Sequence, residues 1–535
     1  MSFLLRERWR SLVAAFVCLA FIELLTLWHY RGPAPKSSDV ADTEFSAERA
    51  VSVHEELFPA KPHPAGTVEN LIVRDRLVDL LRNLGWTVEV QMAVVESDAK
   101  VVLHNVLAHH PQLAELPGRP LVLATHYDSC RTGPGASDAG GCVAAVIESA
   151  RALMDSSNSF ESRPMKRPVY LLFTDGEELG LLGATQFVKR HPLSAKKPMV
   201  LNFDARGTSG PVVMYETHAG NRAAVEAWAN QLARPRLTGA LFTAVYRTLP
   251  NGSDFTVFQQ EGWQGFNFAI IDGAHRYHQP DDTLANLDRR SLQHFGEQAL
   301  KLAQHIATSD VELTESRDDA EFFDVFGLFV VSYPLWWCLP LSILAFIGIA
   351  ATNWRRVCTP DGLQTFLRLG LCGLIVGISS VCAGWFLSRL MRETGVLPRS
   401  FVWYGHWLVI GLWCVSAVIS LGVAHWLLNR RSAEHTWSSL WLWWSFAGIS
   451  VATVAPEFSH LLLMPTLLAV VLSAMRCHFV TRTLLATLGS AILLVPIQHL
   501  LSIALGPSSG VLLNPVFAML LVPTYPLVAI DLKKN

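Results

Sequence analysis

The chain has 535 residues, 51% of them hydrophobic and 16% charged, and a mean hydropathy of +0.30. That is too apolar for an ordinary soluble protein. A net charge of −2 supplies no basic surface for nucleic acid, so that class of partner is excluded.

Arg6, Arg8 and Arg10, in a short cytoplasmic stretch 1–11, precede an apolar segment at 12–29 that only Glu23 interrupts. No small-residue cleavage site follows Trp28-His29-Tyr30, so the segment reads as a retained signal anchor. Residues 30–44 are a polar linker, 45–310 have globular composition, and 311–325 form a second linker. From 326 to 530 the chain is a membrane domain, with spans expected at 326–350, 365–388, 402–428, 437–455, 459–475, 483–505 and 511–530. With the anchor that makes eight, ahead of a cytoplasmic tail at 531–535. An inside N-terminus puts Arg6, Arg8, Arg10, Arg355, Arg356, Arg430, Arg431, Arg476, Arg482, Lys533 and Lys534 in the cytoplasm, and only Arg389, Arg392 and Arg399 in outer short loops. The globular domain is therefore expected outside the cytoplasm. The single Asn-Gly-Ser sequon gives little support for a glycosylated lumen, so a bacterial inner membrane facing the periplasm is preferred to an endoplasmic-reticulum or vacuolar membrane.

Within 45–310, helical patterns at 45–57 and 68–84 flank the loop PAKPHPAGT, whose His63 reads as structural. Alternation at 87–94 and 100–108 predicts an antiparallel edge pair. The apolar run 121–125 ends on His126-Tyr127-Asp128. A Gly/Pro/Ser loop then leads to Ser137-Asp138 and a helix over about 140–155. VYLLFT, a buried-strand pattern, ends on Asp175-Gly176-Glu177-Glu178, and a helix runs to about 190. MVLNF ends on Asp204-Ala205-Arg206-Gly207. A strand at 211–215, a helix at 219–233, a strand at 241–246, a short helix capped by 251–254 and a strand at 265–271 follow. Tyr277-His278-Gln279-Pro280-Asp281-Asp282-Thr283 forms a loop before a closing helix at 289–307. This alternation predicts an α/β fold, a mostly parallel mixed sheet flanked by helices. Of nine cysteines only Cys130 and Cys142 lie in this domain, and they are expected unpaired.

Binding sites of open α/β sheets form at the carboxyl ends of the strands. His126 can supply a neutral nitrogen there and Asp138 a pair of oxygens able to bridge two ions, with Asp128 placed to orient the His126 ring. Each residue also has a plain reading as a turn, a cap or a surface group. Together, His126, Asp138, Glu177-Glu178, Asp204 and His278 make a set suited to two metal ions.

The motifs THYDS, GASDAGG, DGEELGLLGA, NFDARGTSG and YHQPDDT, with PHPAG upstream, resemble the M28 family of zinc peptidases over about 45–307. The trailing spans resemble its membrane-bound branch, which includes endoplasmic-reticulum metallopeptidases and bacterial relatives. The resemblance implies a zinc aminopeptidase-like fold and a hydrolase that cleaves peptide bonds, expected to be an exopeptidase of aminopeptidase type. It implies two zinc ions bridged by Asp138, one completed by Glu178 and His278 and the other by His126 and Asp204. Glu177 would be the general base, Asp128 would stand behind His126, and Arg206, Asp254 and Tyr277 would contact substrate. The partners implied are a peptide or protein substrate and the bilayer. Three alternatives stay open: a glutaminyl-cyclase-like enzyme with one zinc, a non-catalytic ectodomain, and a transport role using a polar path of Glu23, Arg368, His406, His425 and His499.

Overall fold

The computed structural model describes residues 2–96, 100–157, 164–231, 235, 239–248, 252–309, 318–396, 406–475, 478–506 and 509–529. The chain divides into two compact units, Tyr30–Ser332 and the combination of Met1–His29 with Tyr333–Asn535.

Helix α1 (Ser2–Tyr30) belongs to the second of these apart from its last residue. The first unit begins with residues 31–46. They are not the free tether that their polarity suggests, because the Lys36 amide donates to Gln293 Oε1 at 2.9 Å and the Arg49 guanidinium donates to the Ser38 and Val40 carbonyls. A polar sequence here satisfies its backbone on the domain instead of in water.

Helices α2 (Ala47–Leu57) and α3 (Val68–Asn83) are capped by Ser46 and Thr67, whose hydroxyls accept from the Arg49 and Asn70 amides. Strands β1 (Thr87–Glu96), β2 (Lys100–His109) and β3 (Leu121–His126) precede α4 (Cys142–Ser157). Then come β4 (Val169–Thr174), α5 (Leu182–Arg190), β5 (Met199–Ala205), β6 (Ser209–Thr217) and α6 (Arg222–Trp228). Helices α7 (Ala240–Arg247) and α8 (Asp254–Gln260), strand β7 (Gln264–Asp272) and helix α9 (Arg289–Thr308) complete the domain.

The seven strands form one sheet in the order β1-β2-β4-β3-β5-β7-β6. The four central strands are parallel, while β1, β2 and β6 add antiparallel edges, as the mixed sheet expected from the sequence requires. Leu121 and Leu123 point into a core shared with α2, α4 and α9, and Val122 and Ala124 into a second core with α5 and α8. A strand buried on both faces has no polar side to show, which is why LVLAT reads as a continuous apolar run. His126 lies beside Thr174 in the β3–β4 register, so two strand ends are level at the carboxyl edge.

Two local expectations fail. Residues 241–246, LFTAVY, read as a strand but form α7, with Ala240, Leu241 and Thr243 buried on one side. Short apolar runs carry too little periodicity to separate strand from helix, and the packing partner decides. Residues 320–334, placed partly in a linker and partly in a span, form the hairpin of β8 (Ala320–Val325) and β9 (Phe329–Pro334).

The second unit adds α10 (Cys338–Val357), α11 (Pro360–Glu393), α12 (His406–Leu428), α13 (Ala433–Val454), α14 (His460–Ala474), α15 (Phe479–Leu505) and α16 (Gly510–Leu521), then the short α17 (Tyr525–Val528). Among the described residues, six helical stretches are long and apolar enough to cross a membrane, against the eight spans expected, and the chain is an integral membrane protein. The difference lies in α14, only 15 residues long, and in α13, which opens on the polar turn AEHTWSS. Helices α11 and α16 meet through Gly384 and Gly510, where a Cβ on Gly384 would overlap the Gly510 carbonyl oxygen. Small residues permit such backbone approach where the surrounding lipid is as apolar as any side chain.

In the domain, Gly183 on α5 faces the backbone of Asp175, and a Cβ there would overlap the Asp175 carbonyl oxygen. Gly183→Ala is therefore expected to lower stability by about 1–3 kcal/mol through overpacking. Denaturant unfolding of the purified full chain measures it, and an unchanged midpoint would show that the 175–178 loop yields freely.

Candidate metal centre

His126 is the last residue of β3 and only 2% exposed. Its Nδ1 lies 3.1 Å from the Asp128 carbonyl oxygen and 3.4 Å from Asp128 Oδ1. A proton on Nδ1 donating to Asp128 leaves Nε2 with its lone pair directed inward, at 3.2 Å from Asp138 Oδ1 and 3.6 Å from Asp204 Oδ1. Asp204 comes from the end of β5 and accepts from the Ala205 amide at 2.7 Å.

Asp138 lies in the irregular turn Ala136–Gly141 ahead of α4. Its two oxygens face different histidines, Oδ1 towards His126 and Oδ2 towards His278 Nε2 at 3.3 Å. His278 Nε2 is also 2.9 Å from Glu178 Oε2. Ligand atoms of His126, Asp138 and Asp204 all lie within 4.8 Å of one another, as do those of Cys130, Glu178 and His278. The structure thus forms two adjacent donor groups, with Asp138 facing both.

Asp128 does more than orient a ring. It is fully buried, and its Oδ1 and Oδ2 accept from the backbone amides of Glu177 and Glu178 at 3.1 and 3.3 Å. One carboxylate therefore ties the β3 loop to the β4 loop and fixes both glutamates. Asp175, at the start of the same loop, accepts from the His104 amide at 2.9 Å and from Asn70 Nδ2 at 3.2 Å.

Three neighbours escaped the sequence reading. Asp282 accepts from the amides of Ser137 and Asp138 at 2.9 and 3.3 Å, anchoring the turn that carries Asp138. Its only signal was its place in the Pro-Asp-Asp loop four residues after His278. Cys130, a free thiol like Cys142, joins Glu178 and His278, although nothing distinguished it from a loop cysteine. Asp175 had looked like part of a turn.

The three residues expected to contact substrate differ. Tyr277 stacks on the His278 ring with centroids 3.7 Å apart. Arg206 follows Asp204 and is partly exposed, and its guanidinium makes no hydrogen bond or ion pair among the described residues. Asp254 is 2% exposed at the start of α8 and accepts from the Thr174 hydroxyl, so it is buried below the cleft and not on an open wall. Asn251, in the same stretch, lies outside the described residues.

Crowding governs the electrostatics. Burial pushes the Glu178 carboxyl up to about 7, with the Asp138 charge adding to it and His278 opposing. Burial also drives Glu177 well up, against the pull of His126 and with the charges of Asp204, Asp254 and Glu178. Burial opposes a charge on His278, yet Asp138 and Glu178 beside it raise the imidazole to about 11. Such crowding of carboxylates is what a divalent ion would offset, since its charge reverses the local electrostatic logic. Two buried atoms support a metal fit directly: Glu178 Oε1 and His278 Nε2 have no hydrogen-bond partner among the described residues, despite the short His278–Glu178 approach. Histidine nitrogens and carboxylate oxygens are the donor types that zinc takes.

Groups that orient metal ligands typically matter about 10–100-fold in metal affinity. Asp282→Ala is accordingly expected to weaken zinc binding roughly 10–100-fold while Asp138→Ala weakens it further, as read by titration against a coloured chelator. Equal affinity in Asp282→Ala and the parent would show that the 136–141 turn holds its shape unaided.

Residues 105–303 match the model of Peptidase family M28. The endoplasmic reticulum metallopeptidase 1 of Mus musculus is 24% identical over 456 residues, 80% of this chain and 50% of its own length. The vacuolar membrane protease of Eremothecium gossypii is 24% identical over 72% of this chain and 39% of its own length. Among solved structures, Porphyromonas gingivalis glutaminyl cyclase is 20% identical, with a TM-score of 0.40, over 50% of this chain and 100% of its own. The chain spans between 34% and 50% of the length of the first curated relatives it matches. The five motifs fall inside the matched segment, and the relatives are by name an endoplasmic reticulum metallopeptidase and a vacuolar membrane protease: residues 105–303 of this chain carry a domain of Peptidase family M28.

Proposed function

We propose that the domain at 45–310 hydrolyses peptide bonds with two zinc ions, as an aminopeptidase-type exopeptidase on the non-cytoplasmic side of its membrane. The observation that carries this reading is the pair of donor groups sharing Asp138, one oxygen towards each histidine, with Glu177 next in the chain to one donor. His126, Asp138 and Asp204 would hold one ion, and Asp138, Glu178 and His278 the other.

Zinc, when bound, supplies Lewis-acid polarisation of the scissile carbonyl and a lowered pKa for the attacking water. The protein groups do the rest. Asp128 fixes the Glu177 and Glu178 backbones, so that adjacent glutamates take separate roles. Glu177 accepts the proton of the attacking water and returns it to the leaving amine. Arg206 and Tyr277, both partly exposed, are available to bind the substrate backbone beside Asp204 and His278.

Glu177→Gln keeps the size of the side chain and cannot take the proton. Its kcat/KM is expected to fall about 10²–10⁴-fold on a peptide with a free amino end, with zinc content and unfolding midpoint unchanged. Hydrolysis at the parental rate would overturn the role of Glu177. A parent that holds one zinc and cyclises amino-terminal glutamine without cleaving peptides would overturn the hydrolase reading.

The orientation rests on eleven basic residues against three in the short loops. A non-cytoplasmic domain suits the periplasm preferred on sequence grounds and the organelle membranes named for the relatives alike. Alkaline phosphatase fused after residue 310 is expected to be active, and fused after Asn535 inactive. Activity at the C-terminal fusion would mean an odd number of spans.

A further inference from the structure

The membrane unit contains a cavity of about 450 Å³ between α1, α12, α15 and α16, independent of the zinc site and of the proposed hydrolysis. Its walls are mainly apolar, with Leu19, Ile410 and Phe517 among them. Three polar side chains also line it: Glu23, Trp413 and Gln498. Gln498 is 1% exposed, and neither its amide nitrogen nor its amide oxygen has a hydrogen-bond partner among the described residues. Trp413 Nε1 and Glu23 Oε2 are likewise buried without partners, while Glu23 Oε1 lies 3.0 Å from His499 Nδ1. In hydrocarbon an unsatisfied polar group costs several kcal/mol, because no water reaches it. Four such atoms, two donors and two acceptors, belong to side chains that line one apolar cavity.

We propose that this cavity binds a neutral single-chain amphiphile from the bilayer, an acyl chain ending in a carboxamide or a hydroxyl. The volume falls in the range of small-molecule sites, ~300–1,000 Å³. Among the described residues no Lys or Arg lines the cavity to meet a phosphate or carboxylate. Glu23 Oε1 already lies against His499 Nδ1, which would compete with a cationic end for it. A carboxamide end donates to Glu23 Oε2 or Gln498 Oε1 and accepts from Gln498 Nε2 or Trp413 Nε1, which matches the vacant atoms in kind. The polar residues here serve recognition in place of the transport path considered from the sequence.

The test uses the full chain in lipid nanodiscs and a photoreactive oleamide carrying a diazirine in its acyl chain, with labelled positions mapped by peptide mass spectrometry. Labelling is expected on the cavity-facing residues of α1, α12 and α16. Oleamide and oleyl alcohol should displace it, and oleate and octadecene should do so roughly tenfold more weakly, the loss expected for missing hydrogen bonds. Gln498→Leu removes a buried unpaired amide at nearly constant volume, so the fold should hold while oleamide binds roughly tenfold more weakly. Ala417→Trp, which fills the cavity, should abolish specific labelling, and serves alone if Gln498→Leu does not fold. Octadecene competing as well as oleamide, oleate competing better, unchanged binding in Gln498→Leu, or labels scattered over the bundle exterior would each overturn the proposal.

Discussion

Charge crowding at one sheet edge is the constraint on which the domain depends. The carboxylates of Asp128, Asp138, Glu177, Glu178, Asp204, Asp254 and Asp282 surround two imidazoles in a buried pocket. In a low-dielectric interior like charges at such spacing repel strongly: burial and the neighbouring carboxylates push Glu177 and Glu178 up, and the carboxylates beside them raise both histidines. Divalent cations held among these carboxylates would relieve the repulsion directly. Stability of this edge and occupancy of the site are thereby one property.

The acidic residues divide by what their oxygens touch. Asp138, Glu178 and Asp204 face histidine nitrogens, Asp282 spends its oxygens on backbone amides, and Asp128 does both, accepting from the Glu177 and Glu178 amides while Oδ1 also faces His126 Nδ1. Asp175 braces the start of the same loop against β2, and Gly183 lets α5 approach it from below. Loops chosen for chemistry have little packing of their own, and a buried carboxylate accepting two amides is a compact way to fix one.

The membrane unit follows different rules. Its helices are joined by specific polar contacts in an apolar setting: Ser438 to Asn353 at 2.9 Å, Trp437 Nε1 to Ser473 at 3.0 Å, and Arg482 to Glu434 at 2.8 Å with its guanidinium 4.4 Å over the Trp437 ring. These contacts are concentrated on α13, which explains why that helix tolerates a polar first turn that a lipid-facing span would not. The cavity beside α1 is the contrasting place, where polar atoms are buried and left unmatched.

The amino-acid sequence by itself determined the central sheet, the two apolar regions and the histidines and carboxylates that the strands carry to one edge. Each rests on a local pattern: continuous apolar runs for doubly buried strands, and polar residues directly after them that the strand direction must carry to one edge. His126, Glu177-Glu178 and Asp204 were legible for that reason, and Asp138 and His278 through the motifs around them. Tertiary structure alone decided what depends on a partner distant in the chain. LFTAVY became α7 because its buried side was set by packing, and the polar segment 31–46 was held because Gln293, some 250 residues away in sequence, accepts from its backbone. Asp282 gained its role only where its loop meets the Ser137-Asp138 amides, and Cys130 only where β3 and the His278 loop converge. A side chain's neighbours across the fold are not encoded in its own stretch of sequence, so such roles appear only when the strands are assembled.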